Sequence, residues 1–139
     1  MSADPQGVNK SQERYKFILR TLTFMRNGED ILLLKGAPTK RLYANKYNGV
    51  GGHVEKGEAI PASALREIHE EVGITDIYNL RLHAVISIDT DLDSGIILFV
   101  FTVYTETRSF SESSEGIPEW FNRDNLPENQ IQCRHSRHF

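Results

Sequence analysis

The sequence predicts a single α/β domain, and three observations lead there. Runs rich in β-branched and aromatic residues recur at 15–25, 31–35, 80–88 and 96–104, separated by polar links. Between the second and third of these lies one segment, 60–72, with Pro61 in its first turn and Gly73 just past its end, the asymmetry of an α-helix. A chain of 139 residues with 39% hydrophobic content can bury one core, and a second full domain is not expected.

Taken in order, residues 1–14 are polar, carry Pro5 and Gly7 and show no apolar period, so they are expected to form a flexible tail before a domain spanning 15–139. No apolar stretch there resembles a signal peptide, and none later reaches the ~18 residues that span a bilayer. A cytoplasmic location without a membrane partner is the expectation. Segments 15–25 and 31–35 face each other across Asn27-Gly28-Glu29-Asp30 as a β-hairpin. A loop follows, then a short strand at 47–50 and another at 53–54. The helix over 60–72 comes next. The runs at 80–88 and 96–104, joined by a polar loop rich in aspartate, should pair antiparallel. Beyond Thr107 a Ser/Glu-rich loop is expected to lead into Trp120-Phe121 and a last helix. Cys133 is the only cysteine, which excludes an intramolecular disulfide and agrees with a reducing compartment.

A net charge of −3 offers no basic excess for long nucleic acid. The unusual charge is local. On a helix turning about 100° per residue, Leu65, Ile68 and Val72 form an apolar stripe with Ala64 at its border, and Glu67, Glu70 and Glu71 gather on the other side. A solvated acidic face is the plain reading. Against it, these glutamates sit in the C-terminal half, where the helix dipole disfavours anions by ~0.3–1 kcal/mol each, and each i,i+3 or i,i+4 pair adds ~0.2–0.5 kcal/mol of repulsion. A divalent cation reverses that sign, and Mg²⁺ or Mn²⁺ takes carboxylate and carbonyl oxygens. Gly49, Gly51, Gly52 and Gly57 precede the helix and allow close backbone approach. Arg66, at i,i+4 from Glu70, can hold a carboxylate in place.

The pattern Gly52, Glu58, Arg66-Glu67-Ile68, Glu70-Glu71, Gly73-Ile74 resembles the complete signature of the Nudix hydrolases, with every specified position filled. The resemblance implies an α/β/α sandwich around a mixed central sheet. It implies a Mg²⁺- or Mn²⁺-dependent enzyme acting on a nucleoside diphosphate linked to another group, with a small nucleotide as its partner. In such enzymes the residues matching Glu67, Glu70 and Glu71 bind metal, the carbonyl matching Gly51 is a further ligand, Glu58 supports the site and Arg66 orients the carboxylates. Many relatives add a glutamate from a late loop. Among Glu112, Glu115 and Glu119, Glu115 has the spacing before Trp120 seen in purine-nucleotide members, and a solvated loop acid is the alternative.

The segment from Tyr47 to Glu55 resembles MutT-like 8-oxo-dGTP diphosphatases, where an asparagine placed like Asn48 contacts the purine. Asn48 is equally a turn residue before Gly49. Gly52 and His53 are placed to approach phosphate, although His53 also fits as a strand-lining side chain. Trp120 can stack on a base or sit in the core. His135 and His138 have no metal-ligand spacing. Asp89, Thr90, Asp91 and Leu92 stand where other branches of the family carry a marker proline or tyrosine, so a purine nucleoside triphosphate, oxidised like 8-oxo-dGTP, is the expected substrate. Relatives usually carry a longer C-terminal helix with base-contacting acids than the chain to Phe139 provides, which implies an open base pocket.

Overall fold

Strand β1 (Lys16–Asn27) is the spine of the fold in the computed structural model, which describes residues 14–36, 46–111 and 116–127. Its alternation puts Thr21, Thr23 and Met25 on one face, all but removed from solvent, and Leu22 and Phe24 on the other. Gly28, at φ 61°, turns the chain into β2 (Asp30–Gly36), and the pair Met25↔Leu32 sets the hairpin register. Expectation and structure agree on this hairpin.

The anticipated strand at 47–50 is broken in two. β3 (Tyr47–Asn48) pairs with β2 and β4 (Val50–His53) with β1. The break falls at Gly49, where a Cβ would stand 2.7 Å from the Thr23 carbonyl oxygen, so only glycine lets the chain cross from one partner to the other. β4 therefore takes in His53, and the Val54 N–H extends the pairing by donating to the Leu19 carbonyl.

Helix α1 (Ile60–Val72) follows, with bounds and caps as the sequence indicated. Its N-cap Ala59 offers no side-chain bond, whereas Gly73 at φ 73° closes the end by donating to the carbonyls of Ile68 and His69. β5 (Ile77–Asp89) and β6 (Ser94–Thr105) are antiparallel, as expected from their apolar runs. β6 also lies parallel to β1 from Lys16↔Ser94 to Arg26↔Tyr104, which makes the sheet mixed. Its order is β3-β2-β1-β6-β5, with β4 joined to β1 and the last strand, β7 (Gly116–Asn122), joined to β2.

β7 corrects the expected passage from loop to helix around Trp120 and Phe121. Gly116, Pro118 and Glu119 read as loop residues, yet β7 borders the sheet through β2, and a proline is tolerated on such an edge strand. The expected final helix lies outside the described residues, as do residues 1–13 of the tail and Cys133, His135 and His138. Among the described residues no helix is long and apolar enough to cross a membrane.

Helix α1 covers one face of the sheet through Ile68 and Val72, which pack with Met25, Leu32, Leu34, Val50, Ile74 and Val103. A smaller cluster around Leu33 and Tyr47 forms on the other side of β2, with Phe24, Ile31 and Phe121 against it. The face of α1 differs from the sequence reading. Leu65 is 39% exposed, while Ala64 and Ser63 are fully buried. Glu71, expected on the far side, is only 8% exposed. The i,i+4 row Ala64-Ile68-Val72 is the true contact line, and it rotates the helix so that Glu71 is withdrawn from solvent and Glu67 lies over Gly52 of β4. Burying Ile68 and Val72 is worth roughly 1.5–3 kcal/mol each. That exceeds the dipole and repulsion costs of the acids, so packing decides that this short helix forms.

Candidate functional site

The site is assembled where β4 ends and α1 begins. Extended backbone through Val50 and Gly52 runs beside Thr23 and Thr21 of β1, and the chain then turns at Gly57, φ 80°. Within that turn the Glu58 N–H donates to the Glu55 carbonyl, and the Glu55 N–H donates to Glu58 Oε1, so the Glu58 carboxylate is aimed back at the helix.

Arg66 answers it with a fork. Its Nε donates to Glu58 Oε2 at 2.6 Å and one terminal nitrogen to Oε1 at 3.0 Å. The same terminal nitrogen donates to the His53 carbonyl at 3.0 Å, which ties the end of β4 to α1. The other donates to Glu70 Oε1 at 3.3 Å and lies 3.6 Å from Glu67 Oε1. A planar guanidinium serves several acceptors at once in a way that an ammonium does not. Arg66 thus keeps Glu58, Glu67 and Glu70 together despite their like charge.

Gly52 explains how closely the helix can approach. A Cβ built on it would fall 1.6 Å from Glu67 Oε2, so the Glu67 carboxylate occupies the space that any other residue at 52 would fill. Gly51 is constrained from the opposite face, where a Cβ would meet the Thr21 carbonyl oxygen at 2.4 Å. Consecutive glycines are required for different reasons, one by the helix and one by the neighbouring strand.

The two inner carboxyls are biased in opposite directions. The Arg66 hydrogen bonds hold Glu58 far below the usual carboxylate range, from 4.5 to about 2. Burial pushes Glu67 upward, only partly offset by Arg66 and reinforced by Glu70 and Glu58. Linkage then predicts acid behaviour. Glu58, being lowered, contributes stability that is complete above about pH 4.5 and is lost as the pH falls toward about 2. Glu67, being raised, carries a charge penalty that acid relieves. Glu58→Gln is therefore expected to flatten the fall of the melting temperature between these pH values, followed by circular dichroism. Equal slopes for variant and wild type would remove the pair from the acid response.

The remaining candidates separate into groups. Asn48 lies on edge strand β3, where its Oδ1 accepts the Gly49 N–H at 2.9 Å, which is turn chemistry at the break between strands. His53 contributes its carbonyl to Arg66 and Ser63, while the residue itself is exposed. Trp120 packs against the main core, donates Nε1–H to the Arg108 carbonyl at 2.9 Å and carries the Arg108 guanidinium over its ring at 4.9 Å. That anchors the segment after β6. Glu119 accepts from the Tyr47 hydroxyl at 3.3 Å, and Glu112 and Glu115 lie outside the described residues. Among the described residues no three His, Cys, Asp or Glu side chains converge as they would around a metal ion, and Glu67 and Glu70 both face Arg66.

Sequence reasoning passed over two contributors. Glu55 comes within 3.8 Å of the Arg66 Nε and shares the turn with Glu58. Ser63, fully buried, lies 3.4 Å from the Arg66 guanidinium and 3.5 Å from the His53 carbonyl. A serine one helical turn before Arg66 on the strand-facing side was the available signal.

Known proteins share this arrangement of chain. The chain is 32% identical over 111 residues to the oxidized purine nucleoside triphosphate hydrolase of Danio rerio, a match covering 71% of this chain and 64% of that protein. It therefore spans less than two thirds of that relative's length. Among solved structures it is similar to a MutT protein from Bacillus halodurans, with a TM-score of 0.63, 26% identity and coverage of 78% of this chain and 70% of that one. The NUDIX domain of Shewanella oneidensis NrtR, complexed with ADP ribose, gives a TM-score of 0.69 over 96% of this chain and 95% of that one, and at 11% identity this is a likeness of fold. The family model of the NUDIX domain matches residues 16–138. Since that match takes in every described strand and α1, the chain belongs to the NUDIX domain family.

Proposed function

We propose that the protein hydrolyses a purine nucleoside triphosphate, oxidised in the manner of 8-oxo-dGTP, to the monophosphate and pyrophosphate with the help of Mg²⁺ or Mn²⁺. The observation that carries this reading is the desolvated Glu67 carboxylate seated over Gly52, flanked by Glu70 and Glu71 and steadied by Arg66. The substrate class follows the activity named for the zebrafish relative.

The donor set fits a hard cation: Glu67, Glu70, Glu71 and the Gly51 carbonyl would hold it, all through oxygen. When bound, the metal supplies charge screening for the phosphates and a more acidic water. The chain's own residues do the positioning. Arg66 keeps the carboxylates of Glu58, Glu67 and Glu70 in one place, Gly52 lets Glu67 of the helix approach the strand, and the Gly52 backbone is a proposed phosphate contact. Hydrolysis forms a bond from water oxygen to phosphorus and breaks the bridging P–O bond, the water protons passing to solvent and to the leaving phosphate. Glu115 remains the proposed late-loop acid, and Asn48 and Trp120 the proposed base contacts, with His53 beside the phosphates.

Nucleoside monophosphate formation, followed by chromatography, from a panel of nucleoside triphosphates, ADP-ribose and a dinucleotide, each with Mg²⁺, tests the proposal, and pyrophosphate accompanies it only from the triphosphates. Oxidised purine triphosphates should be turned over fastest. Glu70→Gln and Glu71→Gln should each lose at least the ~10–100-fold typical of groups that merely orient metal ligands. Faster turnover of ADP-ribose would move the reading to nucleoside diphosphate derivatives. No turnover of any phosphoanhydride would leave a binding module on the same fold.

A further inference from the structure

We infer that Thr21 is a positioning residue for Glu67, its hydroxyl donating to the Glu67 carboxylate, directly or across one water, when a cation is bound; this rests on the functional reading above. Thr21 is 2% exposed, and among the described residues its Oγ1 has no hydrogen-bond partner. Thr21 pairs with Gly52 across β1 and β4, so its side chain emerges on the same face as the missing Cβ of Gly52. Directly opposed residues have Cβ atoms roughly 4.5–5.5 Å apart. The place of the Gly52 Cβ is taken by Glu67 Oε2. A buried donor without an acceptor and a desolvated carboxylate are thus neighbours on one face of the sheet.

Packing does not account for the hydroxyl. Valine has the same shape, suits a strand equally and leaves no unmet donor, so an apolar site would favour it. Thr23 is a built-in comparison: equally buried and equally without a partner among the described residues, it faces Val50 rather than Gly52. At 21 the orphaned hydroxyl lies on the face where Glu67 Oε2 fills the place of the Gly52 Cβ. At present Glu67 Oε1 is 3.6 Å from Arg66, whose bonds are shared with Glu58 and Glu70. A second donor, from the strand side, would fix the carboxylate when a cation competes with Arg66 for it.

The test compares Thr21→Val, Thr21→Ser and Thr23→Val with wild type, using Mn²⁺ affinity by titration calorimetry and melting temperature without metal. Thr21→Val should melt at or above the wild-type temperature yet bind Mn²⁺ roughly tenfold more weakly, in the range seen when groups orienting a ligand are lost. Thr21→Ser should restore affinity, and Thr23→Val should keep it. Thr21→Ala removes the hydroxyl without a branched side chain and gives the same reading if valine perturbs the strand. Unchanged Mn²⁺ affinity in Thr21→Val and Thr21→Ala overturns this inference alone. A wild-type protein that binds no Mn²⁺ overturns the functional reading and this inference with it.

Discussion

Gly52→Ala is expected to yield a protein that folds and melts close to wild type but turns over substrate about 100-fold more slowly. The added methyl would coincide with Glu67 Oε2, at 1.6 Å, so one of the two must leave. The carboxylate is the end of a flexible side chain and moves first. The fold therefore loses little, whereas a displacement of about 1 Å at a reacting centre costs on the order of 10² in rate.

Gly51→Ala provides the contrast. There the methyl meets the Thr21 carbonyl oxygen, at 2.4 Å, which is rigid strand backbone. Relief requires β4 to lift from β1, a strain on the order of 1–3 kcal/mol. Melting and the proposed hydrolysis of a nucleoside triphosphate, assayed with added Mg²⁺ on both variants, separate the two constraints: stable and slow at 52, destabilised at 51. Full activity in Gly52→Ala would contradict the placement of Glu67.

The two glycines also show where the sequence was legible and where it stopped. The spacing from Gly52 to Ile74 was enough for the bounds of α1, its glycine cap, the Arg66–Glu70 pair and the family, because these depend on local geometry and a dense motif. Three features depend on the tertiary partner and were not legible. Leu65 looks like part of an apolar stripe, but the sheet selects the row through Ala64, Ile68 and Val72 and leaves Leu65 outward. β7 carries Pro118 and Glu119 and has no apolar alternation to betray it; its order comes from pairing with the strongly apolar β2, distant in sequence. Trp120, open in the sequence to base stacking or to the core, has its indole N–H taken up by the Arg108 carbonyl.

Arg66→Lys should be nearly as damaging as Arg66→Ala for catalysis and milder for stability. Lysine keeps the positive charge but has no planar fork, so it cannot serve both Glu58 oxygens, the His53 carbonyl and Glu70 together. Loss of that orientation predicts a fall in kcat/KM of roughly 10–100-fold. Glu58 would return toward the ordinary carboxylate range, so the acid-side loss of stability between pH 4.5 and about 2 would flatten, as in Glu58→Gln. In Arg66→Ala the positive charge disappears too, and Glu58, Glu67 and Glu70 repel without relief. A cation that binds only the folded state raises its stability with the logarithm of its concentration over its dissociation constant, and here it would also quench that repulsion. The Mg²⁺-induced rise in melting temperature should consequently be larger for Arg66→Ala than for wild type, when both are measured at the same Mg²⁺ concentration. A smaller rise would mean that Arg66 helps assemble the cation site more than it neutralises it, and the balance between those two roles is what this measurement decides.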